Sequence, residues 1–296
     1  MITIPTRIVL GAGASASYDY PLGNRLLKII DLKLARPNGN WIPILKKCGI
    51  NTDEIEKFRY GLFHAQPFSV GSFLESRPEF ITIGKLVIAL SLIPYEKHDG
   101  LFSFDARENG CYQYIFNRMI SGCPFADFRK NEIAFITFNY DRSLEYYLHT
   151  ALTEKYGETA EETAAVLNKI PIIHVHGSLG KLTWQISGID EFSRPYRPRN
   201  ESNNDKEIQS AAEQIIIISE GKDTSAEFQE ASNLLKSGER IYFLGFGYND
   251  TNLRRLKIDE LPPVLRKLGN NLNAPHMRGS AKGLYEAERE QIQLKW

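Results

Sequence analysis

The sequence predicts an α/β fold, a doubly wound parallel sheet carrying a helical insertion lobe, and three observations lead there. Short continuous apolar runs, among them Ile8-Val-Leu10, Ile133-Ala-Phe-Ile136 and Ile241 to Leu244, have the character of parallel strands buried on both faces. Two of these runs pass directly into glycine-bearing turns, Gly11-Ala-Gly-Ala-Ser15 and Leu244-Gly-Phe-Gly-Tyr-Asn-Asp250. Between the first and second strands lies a long stretch whose apolar and aromatic residues recur at helical spacing.

In order along the chain, Ile8 to Leu10 is the first strand, and Leu22, Leu26, Leu27 and Ile30 mark the helix after the glycine turn, a Rossmann-like opening. From about Ile50 to Met119, with Phe58, Phe63, Phe73, Tyr112 and Phe116, the chain reads as a helical lobe, so that the core takes about 1–45 and 130–296 and the lobe about 46–129. The sheet resumes with Ile133 to Ile136, followed by a helix over Ser143–Tyr156 and a strand over Ile170–Val175. Residues 185–210, rich in Arg, Pro and Asn, read as a long mobile surface loop. Gln214–Ser219 and Ile241–Leu244 read as two further buried strands with a helix over Ala226–Ser237 between them, and Ser280–Trp296 as a closing helix and short strand.

Composition sets bounds on the function. The 296 residues, 42% of them apolar, suffice for one large core or a core with a small lobe. With 36 basic and 36 acidic residues no global field draws the chain to nucleic acid or to an anionic membrane. The three cysteines, Cys48, Cys111 and Cys123, form no C-x-x-C pair, which argues against a disulfide framework and a four-cysteine zinc ribbon and suits a reduced cytoplasmic setting. The start lacks a signal pattern, and the most apolar stretch, Phe80–Ile93, reads as too short to span a bilayer and contains Lys85.

Three strand ends carry the chemistry. Gly11 and Gly13 let a backbone approach a pyrophosphate closely and turn N–H groups toward it, with the small Ala16 in the third position of the usual fingerprint; a tight turn with no ligand is the plain alternative. No acidic residue ends a second strand to hold a ribose, since Asp31 falls inside the first helix, and this lowers a hydride-transfer reading. Asn139, between Phe138 and Tyr140, offers an amide that both donates and accepts at a sugar hydroxyl or a water; alternatively Asn139 and Asp141 cap the helix that follows. His174 and His176 stand two apart at a strand end before Gly177. His176 is the candidate proton acceptor and His174 an orienting residue, with a metal pair as the alternative. Gly245 and Gly247 suit a second backbone pressed against a nucleotide, with Asp250 otherwise a helix cap.

Together these strings resemble the sirtuin-like NAD-consuming family, especially its bacterial antiphage branch. The resemblance lies in the Gly11–Ser15 turn, in Thr137-Phe-Asn-Tyr-Asp141 where sirtuins carry T-x-N-x-D, in His176-Gly-Ser178 where they carry the catalytic His-Gly, and in the Gly245 to Asp250 turn. It implies a single catalytic domain over 1–296 that takes NAD, with Asn139 and His176 as the catalytic pair. Gly11, Ala12, Gly13, Ala14 and Ser15 become the phosphate turn, and Asp141 a nicotinamide-side or supporting residue. Gly177 and Ser178 fall beside the catalytic histidine, while Gly245, Phe246, Gly247 and Asp250 become contacts to the adenosine half. Two departures matter. Residues 177–244 hold no cysteine where deacylating sirtuins place their zinc module, and Tyr20-Pro-Leu-Gly23 stands where they carry G-x-P-D-F-R. The resemblance therefore implies a metal-free NAD glycohydrolase, releasing nicotinamide and ADP-ribose, rather than a deacylase. It also implies antiphage NAD depletion by a homo-oligomer under the control of a HerA-like ATPase, with no direct contact to nucleic acid or membrane. A non-catalytic NAD or ADP-ribose sensor and a nuclease component of a DNA-acting complex are the competing readings.

Overall fold

The computed structural model describes residues 1–35, 41–186, 188, 191–198, 205–218, 225–261, 276–281, 286, 289 and 290. Five strands form one parallel sheet: β1 (Thr6–Leu10), β2 (Ile133–Thr137), β3 (Ile172–His174), β4 (Arg240–Leu244) and β5 (His276–Gly279), in the order β3-β2-β1-β4-β5. Helices flank this sheet, as an α/β doubly wound architecture requires of strands buried on both faces.

Alternation along each strand sends neighbours to opposite faces, and the register keeps the two sets apart. Ile8 pairs with Phe135 on the face of the larger core, whereas Val9 pairs with Ile136 and Phe243 on the other. The larger core runs into the helical lobe; the smaller is closed by the helix Ala226–Lys236 through Phe228, Ala231 and Leu235. Within the lobe, the helix Ile81–Leu92 is apolar around all of its circumference but the side of Thr82 and Lys85 and is buried over most of its length, the pattern of a core helix. Pro78–Tyr95 is the one segment among the described residues that is long and apolar enough to cross a membrane, and most of it is packed inside the protein.

Four expectations need correction. Gln214–Ser219 is no strand over its described part: only Ile215 forms a bridge, antiparallel to Gly177, and the Ile216 amide donates to the His176 carbonyl at 2.8 Å. This apolar run lies across the end of β3 and is buried there without joining the sheet. The fifth strand is instead His276–Gly279, paired with β4. The 185–210 segment is not one surface loop: Asp205–Glu213 is helical, and Arg194 is only 2% exposed. Arg194 and Arg142 both donate to the buried carboxylate of Glu96, and Arg142 also holds the carbonyls of Lys181, Arg194 and Pro195. Finally, the strand expected over Ile170–Val175 shortens to Ile172–His174. The expected Ser280–Trp296 helix and strand lie almost wholly outside the described residues.

The sheet order reverses at β1, since the chain moves from β1 through β2 to β3 on one side and then returns to place β4 on the other. The crevice above the carboxyl ends of β1 and β4 is therefore the switch point, where doubly wound folds bind ligands. Here the two glycine turns touch. Gly11 donates its N–H to the Leu244 carbonyl at 3.0 Å, and Gly13 donates to the Gly245 carbonyl at 2.9 Å. A Cβ on Gly245 would stand 2.0 Å from the Ala14 nitrogen, and Gly245 adopts a φ of +59°, in the left-handed region. Gly245→Ala is thus expected to cost at least about 2 kcal/mol, from left-handed backbone strain together with the clash. Gly247→Ala, with nothing within 4 Å of the added carbon, should stay within about 0.5 kcal/mol of wild type in urea unfolding.

Candidate functional site

A cavity of about 530 Å³ opens at this switch point, roofed by the helical-lobe segment 68–75 and floored by the strand ends. Its volume falls in the range of about 300–1,000 Å³ usual for small-molecule sites. A larger cleft, about 1400 Å³, lies between helices of the lobe and is remote from every strand end.

Of the sequence-predicted residues, Gly11, Ala12, Ser15, Asn139, Asp141, His176, Phe246 and Gly247 line the cavity. Gly13, Ala14, Gly177, Ser178, Gly245 and Asp250 do not. The glycine turn differs from its expected use. Both glycine amides donate to the neighbouring turn, so the closeness these glycines permit is of chain to chain; Ala12 is the exposed residue of the turn, and Ser15 is buried beneath it. Gly177, at φ +68°, is likewise closed over, because a Cβ there would meet the Gln214 carbonyl at 2.0 Å. Ser178 turns back to the Gly180 carbonyl. The helix Asp250–Arg255 is capped by Asn249, whose Oδ1 accepts from Thr251 at 2.9 Å, and not by Asp250.

Asn139 is buried, and its side-chain Nδ2 donates to the Gly11 carbonyl and to Ser15 Oγ, both at 3.0 Å. Because a carbonyl can only accept, this fixes which end of the amide is nitrogen. Oδ1 has no partner among the described residues, so the amide presents an acceptor alone, where the sequence offered both donor and acceptor. The capping alternative splits: Asp141 does accept from the Ser143 amide at 3.1 Å and from its hydroxyl, while Asn139 caps nothing. Tyr112, contributed by the helical lobe, donates to Ser143 Oγ at 2.8 Å and lies 3.3 Å from Ser15 Oγ. Burial raises the Asp141 pKa, while hydrogen bonds from Ser143 and Ser15 oppose the rise.

The two histidines are held in opposite states. Burial lowers the pKa of His174, but the Glu145 carboxylate, 2.6 Å from Nε2, and the Asn139 carbonyl, accepting from Nδ1 at 2.8 Å, outweigh it and raise the pKa overall. Both nitrogens of His174 are occupied, which removes it as a metal ligand in this conformation and makes it a support for the Asn139 backbone. No group of three metal-ligating side chains occurs among the described residues. The ring of His176 lies against Phe138, Tyr140 and Phe228. Burial in this aromatic surround, and then the charge of Arg255, push its pKa down to about 4 against a weaker opposing contact with the Ile216 backbone. Arg255 is itself held by Glu75 through two hydrogen bonds of 3.0 and 3.3 Å.

An NMR titration is expected to show His176 protonating near pH 4 and His174 above the ordinary value of 6.5. The stability contributions have opposite signs. For His176 the unfolded chain binds the proton first, so its contribution falls as pH drops from about 6.5 to 4. For His174 the contribution is full below its unfolded value and is lost as pH rises through the raised folded one.

Glu75, Arg255, Tyr112 and the His174–Glu145 pair were not legible as site residues, because each acts through a partner distant in sequence. Residues 133–261 match the family model of the SIR2-like domain, a span that opens at the first residue of β2 and takes in Asn139, both histidines and the Gly245 turn. No curated protein matches the chain in sequence. Over residues 133–261, somewhat under half of the chain, the sequence is similar to the SIR2-like domain, whose members are NAD-dependent enzymes.

Proposed function

We propose that the protein is an NAD glycohydrolase that releases nicotinamide and ADP-ribose. The observation that carries this reading is the convergence, in one cavity, of a neutral His176 and the unpartnered Oδ1 of Asn139. The residues present fit the dinucleotide: the cavity is of adequate size, Ala12 exposes the turn after β1, and Gly247 has open space over its α-carbon.

When NAD is bound, its nicotinamide–ribose bond breaks with departure of a leaving group that is already cationic and becomes neutral, so no acid is needed. A water oxygen bonds to the anomeric carbon that nicotinamide leaves, and His176, held uncharged by its aromatic surround, accepts the proton this water gives up, directly or through a ribose hydroxyl. Asn139 Oδ1 accepts a hydrogen bond from that hydroxyl or water, and its negative end faces the region where the sugar becomes electron-poor. Ser15 and Asp141 keep the Asn139 amide in that orientation. The lack of cysteine over 177–244 supports hydrolysis over deacylation.

By resemblance to the antiphage branch, the activity serves NAD depletion during phage infection, in a homo-oligomer controlled by a HerA-like ATPase. The protein incubated with NAD, alone and with such an ATPase, is expected to yield nicotinamide and ADP-ribose in equal amounts by chromatography. Absence of both products under either condition, with NAD bound, would instead identify a sensor.

A further inference from the structure

Phe68 is 88% exposed and makes no ring contact among the described residues, yet it stands at the mouth of the cavity. A phenylalanine left in water forgoes the free energy of burial, and the surrounding aromatic residues of the cavity do not leave theirs out. Phe138 and Phe246 pack edge to face at 4.9 Å, and the Tyr20 hydroxyl is bonded to Tyr196 at 2.8 Å.

The backbone that carries Phe68 is held on both sides. Gln66 ends the helix Thr52–Ala65 in the left-handed region at φ +47°, and Pro67 fixes the next φ. On the other side, Ser69 and Ser72 form a reciprocal capping box, each amide donating to the other's hydroxyl at 3.1 Å. The Phe68 carbonyl rests on Gly23, where an added Cβ would come within 3.3 Å of it. The loop is therefore preorganised while its aromatic ring is unengaged, an arrangement that lowers the entropic cost of receiving a planar ligand.

We propose that Phe68 is a ligand-binding residue that stacks on a planar ring of the dinucleotide and closes the mouth of the cavity. This inference rests on the NAD reading. A stacked aromatic partner contributes about 1–3 kcal/mol, which corresponds to about 5- to 150-fold in affinity.

The test measures NAD binding by calorimetry in a His176→Ala background, which prevents turnover, with and without Phe68→Ala, Phe68→Trp and Phe68→Leu. Phe68→Ala is expected to raise Kd about tenfold, Phe68→Trp to restore tight binding with quenching of its fluorescence, and Phe68→Leu to stay weak. Because the side chain is exposed, thermal melting should be unchanged in all three. Equal Kd for the parent and Phe68→Ala, whatever happens to the association state, overturns the role of Phe68 alone. Failure of the parent to bind NAD overturns the NAD reading and this inference with it.

Discussion

His176→Ala is expected to slow nicotinamide release from NAD by about 10²- to 10⁴-fold, the usual worth of a positioned proton acceptor, while leaving the fold nearly intact. The imidazole touches Phe138, Tyr140 and Phe228 through ring contacts and has the Ile216 backbone as its polar partner, so its removal strands no side chain. Asn139→Ala should lose activity as severely but also cost about 1–3 kcal/mol, because it withdraws the donors to Gly11 and Ser15. Asn139→Asp is expected to be worse in stability than alanine, since a carboxylate oxygen would replace the donor facing the Gly11 carbonyl. Product chromatography paired with urea unfolding separates the two effects. Wild-type turnover by His176→Ala would place the proton acceptor elsewhere.

Glu96→Gln is expected to lower the unfolding free energy by about 3–5 kcal/mol. Glu96 is fully buried and accepts from Arg142 at 2.8 and 2.7 Å and from Arg194, so the substitution leaves two buried guanidinium groups without their counter-charge. Arg194 keeps Glu207, at 2.9 Å, but Arg142 has no second carboxylate among the described residues. The exposed pair Lys181–Glu191 is the internal control, where Lys181→Ala should cost no more than about 1 kcal/mol. The damage should also reach the cavity. Arg142 and Arg194 hold the segment 191–198, whose Tyr196 bonds the Tyr20 hydroxyl and stacks on Tyr146 at 4.2 Å, and Tyr20 lines the site. A urea midpoint for Glu96→Gln equal to that of Lys181→Ala would contradict this account.

What was legible in the sequence was local. Ile8 to Leu10, Ile133 to Ile136 and Ile241 to Leu244 are continuous apolar runs, the first and last beside glycine turns, and all three are sheet strands. Ile215 to Ile218 shows the same pattern but lies outside the ladder, because apolar runs report burial and not which backbone groups pair. β5 was missed for the converse reason, since His276-Met-Arg-Gly279 is hardly apolar. Arg194 looked like surface because its counter-charge, Glu96, is far away in the chain. Gly11 and Gly13 announced a close approach correctly in kind, but what approaches is the Gly245 turn, and no local rule could name that partner. The orienting role read for His174 agrees with its bond to the Asn139 carbonyl, while nothing near it in the chain pointed to Glu145 as the partner of its other nitrogen.

The strand order has a consequence for how the molecule is made. β1 leaves the ribosome first, yet one of its two neighbours is β4, whose Arg240 pairs with Thr6. Until that distant segment is synthesised, one edge of the central strand has no partner, and the clasp between the Gly11 and Gly245 turns cannot form. Such long-range pairing slows folding and lengthens the interval in which an open strand edge is exposed to aggregation or to chaperones. The cavity, which takes its wall from residues as far apart as Gly11 and Asn252, is accordingly among the last features to assemble. Until β4 and the turn after it are made, the chain carries this cavity only in part.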